Sequence, residues 1–374
     1  MGEPIRVLHI LQRMEAGGTQ ALLMNIYRKI DCTKVQFDFL VVYKEKQFYD
    51  DVIESMGGHV YKLSFREDLN LPKFHKDLKA FFKKHHEYHI VHCHAYTIGY
   101  FCLKAAKKAG IPVRIAHSHN NETVHDIKYL PKLYMQRLFT LNATDLFACS
   151  EEAGKYLFKD NPFLVLKNAI DSQQFIANEN TRREVKQELG LEKKFVVGHV
   201  GRLHPQKNHE FLIDVFSEIK KKKPDAELIL VGSGPLEEKI RRKVAAKGLT
   251  ESVQFLGNRN DMSRVYQAMD IFIFPSLFEG LGIVAIEAQA VGVPIVCSEG
   301  LPPETDITPI YRRLMLNDDV EKWADVALEM TQNPLAYTNM QKYVIDAGFD
   351  MTATAKDMEK YYLAKEALIR EKYK

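Results

Sequence analysis

Short apolar runs alternate with longer helix-patterned segments along the whole chain, and the alternation starts afresh near residue 195. Residues 5–11, 37–42, 90–91, 113–116 and 146–149 read as buried strands of one sheet. Residues 195–200, 228–231, 253–256, 271–274 and 294–298 read as strands of a second. Helical patterns such as 18–28, 209–222, 237–246 and 285–290 fall between them. Strand followed by helix, repeated, predicts an α/β protein with parallel sheets covered on both faces. A length of 374 residues fits two domains. The spacing predicts 1–175 and 190–350, divided around the polar stretch 178–192. Residues 352–374 break the rhythm with one long helical pattern. Met358, Tyr361, Tyr362, Ala364, Ala367 and Leu368 are expected to share its apolar side and to dock on a domain.

Composition narrows the partners. Hydrophobic residues at 46% and charged residues at 27% are the mix of a globular protein, not of a disordered or disulfide-scaffolded one. No apolar run reaches the length of a spanning helix, and the N-terminus lacks the pattern of a secretory signal. Five cysteines without a C-x-x-C pair suit a reducing compartment, so a cytoplasmic location is expected. The net charge of +3 is unevenly spread: residues 1–174 carry 24 Lys/Arg against 19 Asp/Glu, and 11 of the 14 histidines. That imbalance is too small to imply nucleic acid, for which no recognition motif is present.

Ligands of doubly wound sheets bind at the carboxyl ends of strands. Gly17-Gly18 follows the first strand and opens a helix, where backbone amides favour an anion; a tight turn explains the pair equally well. No G-x-G-x-x-G stands there, which argues against a nicotinamide dehydrogenase. After strand 195–200 come Gly201-Arg202 and Lys207-Asn208, two cations able to hold a pyrophosphate. After strand 271–274 comes Glu279-Gly280-Leu281-Gly282-Ile283-Val284, with Glu287 eight residues beyond Glu279. Amides from Gly282 to Val284 are placed to meet an anion, and the two carboxylates can accept sugar hydroxyls. Carboxylates among apolar neighbours require partners.

These motifs bring a resemblance. Glu279 to Glu287 matches the E-x7-E signature of the retaining glycosyltransferases of family 4. Gly201-Arg202 with Lys207-Asn208, Gly17-Gly18, Asn168-Ala169-Ile170-Asp171 and Val231-Gly232-Ser233-Gly234-Pro235 follow the same family's order, over nearly the whole chain. The resemblance implies a GT-B fold: two Rossmann-like domains facing across a cleft, the terminal helix crossing back to the N-terminal one. It implies that Arg202 and Lys207 bind the donor's diphosphate, that Glu287 holds the ribose and Glu279 the donor sugar. Gly280, Gly282, Ile283 and Val284 frame that donor site, and no metal or other cofactor is needed. The family often places a histidine after the strand resembling 113–116. Here that position is Ser118, flanked by His117 and His119; His119, further from the strand, is assigned the catalytic role. The stretch 111–120 resembles enzymes of exopolysaccharide and capsule synthesis.

The implied activity is transfer of a sugar from a nucleotide diphosphate donor, UDP-linked, to a glycan or lipid-linked acceptor with retention. A GT-B epimerase, or an inactive nucleotide-sugar-binding subunit, are the alternatives; retention of Glu279, Glu287, Arg202 and Lys207 speaks against the latter. His92 and His94 fall on one strand face, yet nothing else in the sequence completes a zinc shell. The stretch 70–86 reads as a basic amphipathic helix, with Phe74, Leu78, Phe81 and Phe82 inward and Lys73, Lys76, Lys79, Lys83 and Lys84 outward. Such a face is expected to meet solvent, or anionic lipid as a peripheral attachment.

Overall fold

The computed structural model describes residues 3–15, 18–65, 67–119 and 138–372. The chain forms two compact units, one of Met1–Ala169 with Met351–Lys374 and one of Ile170–Asp350. Among the described residues no helix is long and apolar enough to cross a membrane.

The first unit is a seven-stranded parallel sheet in the order β3-β2-β1-β4-β5-β6-β7. Its strands are β1 (Ile5–Ile10), β2 (Val35–Val41), β3 (Val60–Lys62), β4 (Ile90–Cys93), β5 (Val113–Ser118), β6 (Asp145–Ala148) and β7 (Leu164–Val165). Helices cover both faces, which is why the central strands read as continuous apolar runs. The buried Asp38 in β2 accepts from Arg6 Nε and Nη2, both at 2.6 Å, and from Tyr88 Oη at 2.8 Å. Strands β3 and β7 are too short to show a period and sit at the edges of the sheet, and β3 includes Lys62.

The terminal helix, Met351–Lys372, packs on helix Gly18–Lys29 and on β1 and β2. Its buried stripe is Met351, Ala355, Met358, Tyr362, Glu366 and Ile369. Ala364, Ala367 and Leu368, expected inside, are exposed. Steps of three and four from Met358 lead to Tyr362, Glu366 and Ile369, so the stripe continues through a charged residue. Glu366 is held there by His89 at 3.0 Å and Arg370 at 2.9 Å.

The second unit is a six-stranded parallel sheet, β10-β9-β8-β11-β12-β13. Its strands are β8 (Phe195–Val200), β9 (Ala226–Val231), β10 (Val253–Gly257), β11 (Ile271–Phe274), β12 (Ile295–Ser298) and β13 (Tyr311–Leu314). The polar stretch read as a boundary belongs wholly to this unit. Helix Glu179–Glu188 is capped by Asn178 and pinned by the buried Val185. Arg182 donates to the carbonyls of Gln267 and Met269, and Lys186 pairs with Asp270 at 2.8 Å. Ile170 and Phe175 are already in this unit's core, so the division falls at 169/170 rather than after 175.

Candidate active site

In both sheets the strand order reverses between the first and fourth strands of the unit, β1/β4 and β8/β11. The carboxyl ends beside such a switch point are where ligands of doubly wound sheets bind.

In the second unit the loop after β8 carries Gly201, Arg202 and Lys207, and the loop after β11 carries Glu279. The two loops are joined by backbone and side-chain bonds: Leu277 N donates to Gln206 O at 2.8 Å, and Gln206 Nε2 to Phe278 O at 2.9 Å. The loop after β9 closes on the first at van der Waals limit. Gly232 has φ +127, and a Cβ there would lie 2.2 Å from Gly201 O, so only glycine fits.

Lys207 sits at the end of a tight turn, Pro205–Lys207, and its Nζ lies 2.6 Å from Glu279 Oε1. Both side chains are largely buried, 14% and 7% exposed, and the ammonium stands 4.7 Å above the Phe274 ring. The pair is therefore charge-compensated in a low-dielectric pocket before any ligand arrives. Arg202 is exposed, and its guanidinium has no hydrogen bond or ion pair among the described residues.

Gly282, φ +76, caps helix Ile283–Ala290 in a left-handed conformation, a Cβ there would lie 3.6 Å from the Glu279 stem, and the first amides of a helix have no acceptor within it. A Cβ on Gly280 would meet open space. Glu287 accepts from Tyr266 Oη at 2.9 Å, and burial pushes its carboxyl up to about 7. The loop after β12 meets Glu279 through its backbone, Gly300 O accepting from Glu279 N at 2.9 Å, and at the end of β12 Ser298 Oγ donates to Ser276 O.

In the first unit five histidines gather at the carboxyl side of β1, β4 and β5. His9 and His92 are opposite in register. Hydrogen-bond contacts link His9 Nδ1 to His94 Nε2 (3.1 Å), His94 Nδ1 to His119 Nε2 (2.8 Å) and His92 Nε2 to His117 Nδ1 (3.0 Å). Tyr362 of the terminal helix meets His92 Nδ1 at 2.7 Å. All five imidazoles are held neutral, far below the ordinary histidine range, chiefly by burial.

Comparison with known proteins agrees with this geometry. Residues 17–174 match the family model "Glycosyltransferase Family 4", and residues 181–347 match "Glycosyl transferases group 1". EpsF of Bacillus subtilis (strain 168), assigned as a glycosyltransferase, is 34% identical over 331 residues, 86% of each chain. The chain belongs to glycosyltransferase family 4. A UDP-Gal:alpha-D-GlcNAc-diphosphoundecaprenol alpha-1,3-galactosyltransferase of Escherichia coli is 27% identical over 308 residues, 79% of each chain. Anabaena HepE, solved in complex with UDP, superposes with a TM-score of 0.80 at 19% identity, over 96% of this chain and 100% of that one. The two units are thus those of the GT-B fold class.

In this family 4 glycosyltransferase the residues singled out by sequence fall into three groups. Arg202, Lys207, Glu279, Gly280, Gly282, Ile283, Val284 and Glu287 all lie on the carboxyl side of the second sheet, and Lys207 and Glu279 touch. His119 lies in the first unit, bonded to His94, and Gly18 begins a helix there. Gly17 lies outside the described residues. Sequence reading missed Tyr266, the Gly300 carbonyl, and the joining of His9, His117 and His119 to His92 and His94. A tyrosine thirteen residues before the signature glutamate carries no local motif.

Proposed function

We propose that this transferase moves a sugar from a UDP-linked donor to a glycan or lipid-linked acceptor in exopolysaccharide or capsule synthesis, with retention at the anomeric carbon. The observation that carries the reading is Lys207, preset on Glu279 at 2.6 Å beside the unpartnered Arg202 and the amides of helix Ile283–Ala290. An arriving diphosphate takes Lys207 from a carboxylate to a phosphate, and Arg202 adds a forked contact. Positive charge positioned in advance stabilises the leaving nucleotide without a resident metal or other cofactor. Glu279, freed from Lys207, accepts hydroxyl hydrogen bonds from the donor sugar, and Glu287 accepts them from the ribose. Attack comes from the face the nucleotide leaves, and the departing phosphate takes the acceptor's proton. His119 is proposed to act on the donor sugar, and Gly17-Gly18 to give the phosphates room. The UDP complex of HepE and the UDP-Gal substrate in the Escherichia coli relative's name support the UDP-linked donor; that relative's diphosphoundecaprenol acceptor supports a lipid-borne one.

A thermal-shift panel of nucleotide sugars tests the donor, since a ligand at 100 times its dissociation constant adds ~2.7 kcal/mol. UDP-sugars are expected to raise the melting temperature; a response confined to another nucleotide overturns that part. Donor consumption without acceptor would instead mark an epimerase.

The two glutamates divide the work. Glu287→Gln is expected to weaken free UDP binding, and Glu279→Gln to leave UDP affinity intact while depressing turnover. Because the ionised Glu287 is the better acceptor and titrates at about 7, UDP affinity is expected to fall as pH drops below 7. Calorimetry with UDP on both variants checks this, and the reverse pattern refutes the assignment.

The first unit supplies the surface for a lipid-borne acceptor at the inner face of the membrane. Helices Leu71–Lys84 and Tyr96–Lys108 enclose a groove of about 620 Å³ with Phe82 and Phe101 on its floor and Lys79, Lys83, Lys104 and Lys108 around it. Phe74, Leu78, Phe81 and Phe82 are buried beneath, leaving the lysines outward. Near an anionic surface each cation contributes about 1 kcal/mol, screened by salt. Sedimentation with anionic vesicles is expected to fall steeply with ionic strength and with charge reversal at Lys83 and Lys84. Equal sedimentation with neutral vesicles rejects it.

A further inference from the structure

We propose that His94, His117 and His119 form a binding site in the first unit for one divalent transition-metal ion, zinc foremost. One imidazole nitrogen from each lies within 4.8 Å of the others. Topology brings them together: β4 and β5 are hydrogen-bonded neighbours, and alternate residues at their carboxyl ends share a face.

The surrounding hydrogen bonds select the ligating atoms. His117 Nδ1 is engaged by His92, whose other nitrogen is engaged by Tyr362. His117 Nε2 is left buried with no partner. His94 Nε2 is engaged by His9, which leaves Nδ1 toward His119 Nε2. An ion held by His94 Nδ1, His117 Nε2 and His119 Nε2 thus has two ligands backed by further side chains, as metal-bound histidines usually are. Each of these contacts then has one donor, although His9 Nε2 stays buried without a partner. His117 Nδ1–H donates to His92 Nε2, His92 Nδ1–H to Tyr362 Oη, and His94 Nε2–H to His9 Nδ1. Without an ion, one proton satisfies the His94–His119 contact while His117 Nε2 stays unpaired.

A second triad, His9, His92 and His94, also clusters, but both nitrogens of His92 are already engaged. It offers two ligands at most. Three neutral imidazoles and no carboxylate select zinc, cobalt, nickel or copper over magnesium or calcium. His119 is only partly buried, which leaves a fourth position open on its side. The ion is not the diphosphate's counter-charge, which the proposed function assigns to Lys207 and Arg202 in the other unit.

The test uses the full chain stripped with a chelator, then dialysed against Zn²⁺ alone and, separately, Co²⁺ alone. One equivalent per chain is expected, with the visible d–d bands of a low-symmetry Co²⁺ site. His117→Gln and His119→Gln should each weaken binding more than tenfold. A His75→Ala/His86→Ala variant, which removes exposed histidines, should bind as the wild type does. His119→Gln, at the exposed rim, keeps the test decisive if His117→Gln does not fold. Absence of stoichiometric binding, binding that survives both cluster variants, or binding lost with His75 and His86 overturns the proposal.

Discussion

Lys207→Ala is expected to lower turnover by roughly two orders of magnitude, the usual effect of losing one preset transition-state donor. The loss has two sources. The cation that meets the developing negative charge is gone, and Glu279 remains as a carboxylate 7% exposed with no counter-ion, turned toward an anionic ligand. The lysine is also shaped for its place. Its stem passes Gly201, where a Cβ would come within 3.0 Å, and its ammonium rests on Phe274. Lys207→Arg therefore should not restore activity, because a planar fork does not fit a slot built for a point charge. Steady-state rates with a UDP-sugar donor decide the matter, measured with and without added Mg²⁺, on which the wild type should not depend. Unchanged turnover in Lys207→Ala would falsify the charge scheme.

Legibility in the sequence follows how local each feature is. Glu279 and Glu287 stand on one loop and its helix, so nine residues of sequence contain both. The β8 and β11 strands are buried along their whole length and run straight into glycine-containing loops, so those loops could be read directly. The histidine cluster could not. His92 and His94 show a shared face from strand alternation, but His9 and His117 join them only because β1 and β5 flank β4 in the sheet order. The same holds for Tyr266, which reaches Glu287 across the fold. The terminal helix follows from its period but its phase does not, because the buried stripe runs through Glu366, a charged residue held by His89 and Arg370. Polar residues also misled at 178–192, where Arg182 and Lys186 clasp Asp270 instead of forming a linker.

Acid is expected to weaken the second unit, and Glu287 to limit the damage. His199 is fully buried in β8, donating Nδ1–H to Ile273 O at 2.9 Å, while His209 begins the helix after Lys207. Burial, reinforced by the Lys207 ammonium, pushes His209 down to about 4, and burial with His209 nearby holds His199 well below the usual range. Both are neutral when folded and charge on unfolding, with an unfolded value of about 6.5. Their contribution is therefore complete above 6.5 and declines as pH falls toward 4, by about 1.4 kcal/mol per pH unit for each. Glu287 has the opposite sign. Its folded value of about 7 exceeds the unfolded one of about 4.3, so protonation stabilises the fold as pH falls through the same window. Two imidazoles against one carboxyl leave a net loss of roughly 1.4 kcal/mol per pH unit between 6.5 and 4.5. Glu287→Gln removes the offset, and the loss should about double. Trp323, the single tryptophan, is buried in the second unit and reports its unfolding alone. Urea titrations followed by its fluorescence at pH 7 and pH 5, on wild type and Glu287→Gln, measure both slopes. Stability that is flat across this range in both proteins would show that His199 and His209 are not held neutral by the fold.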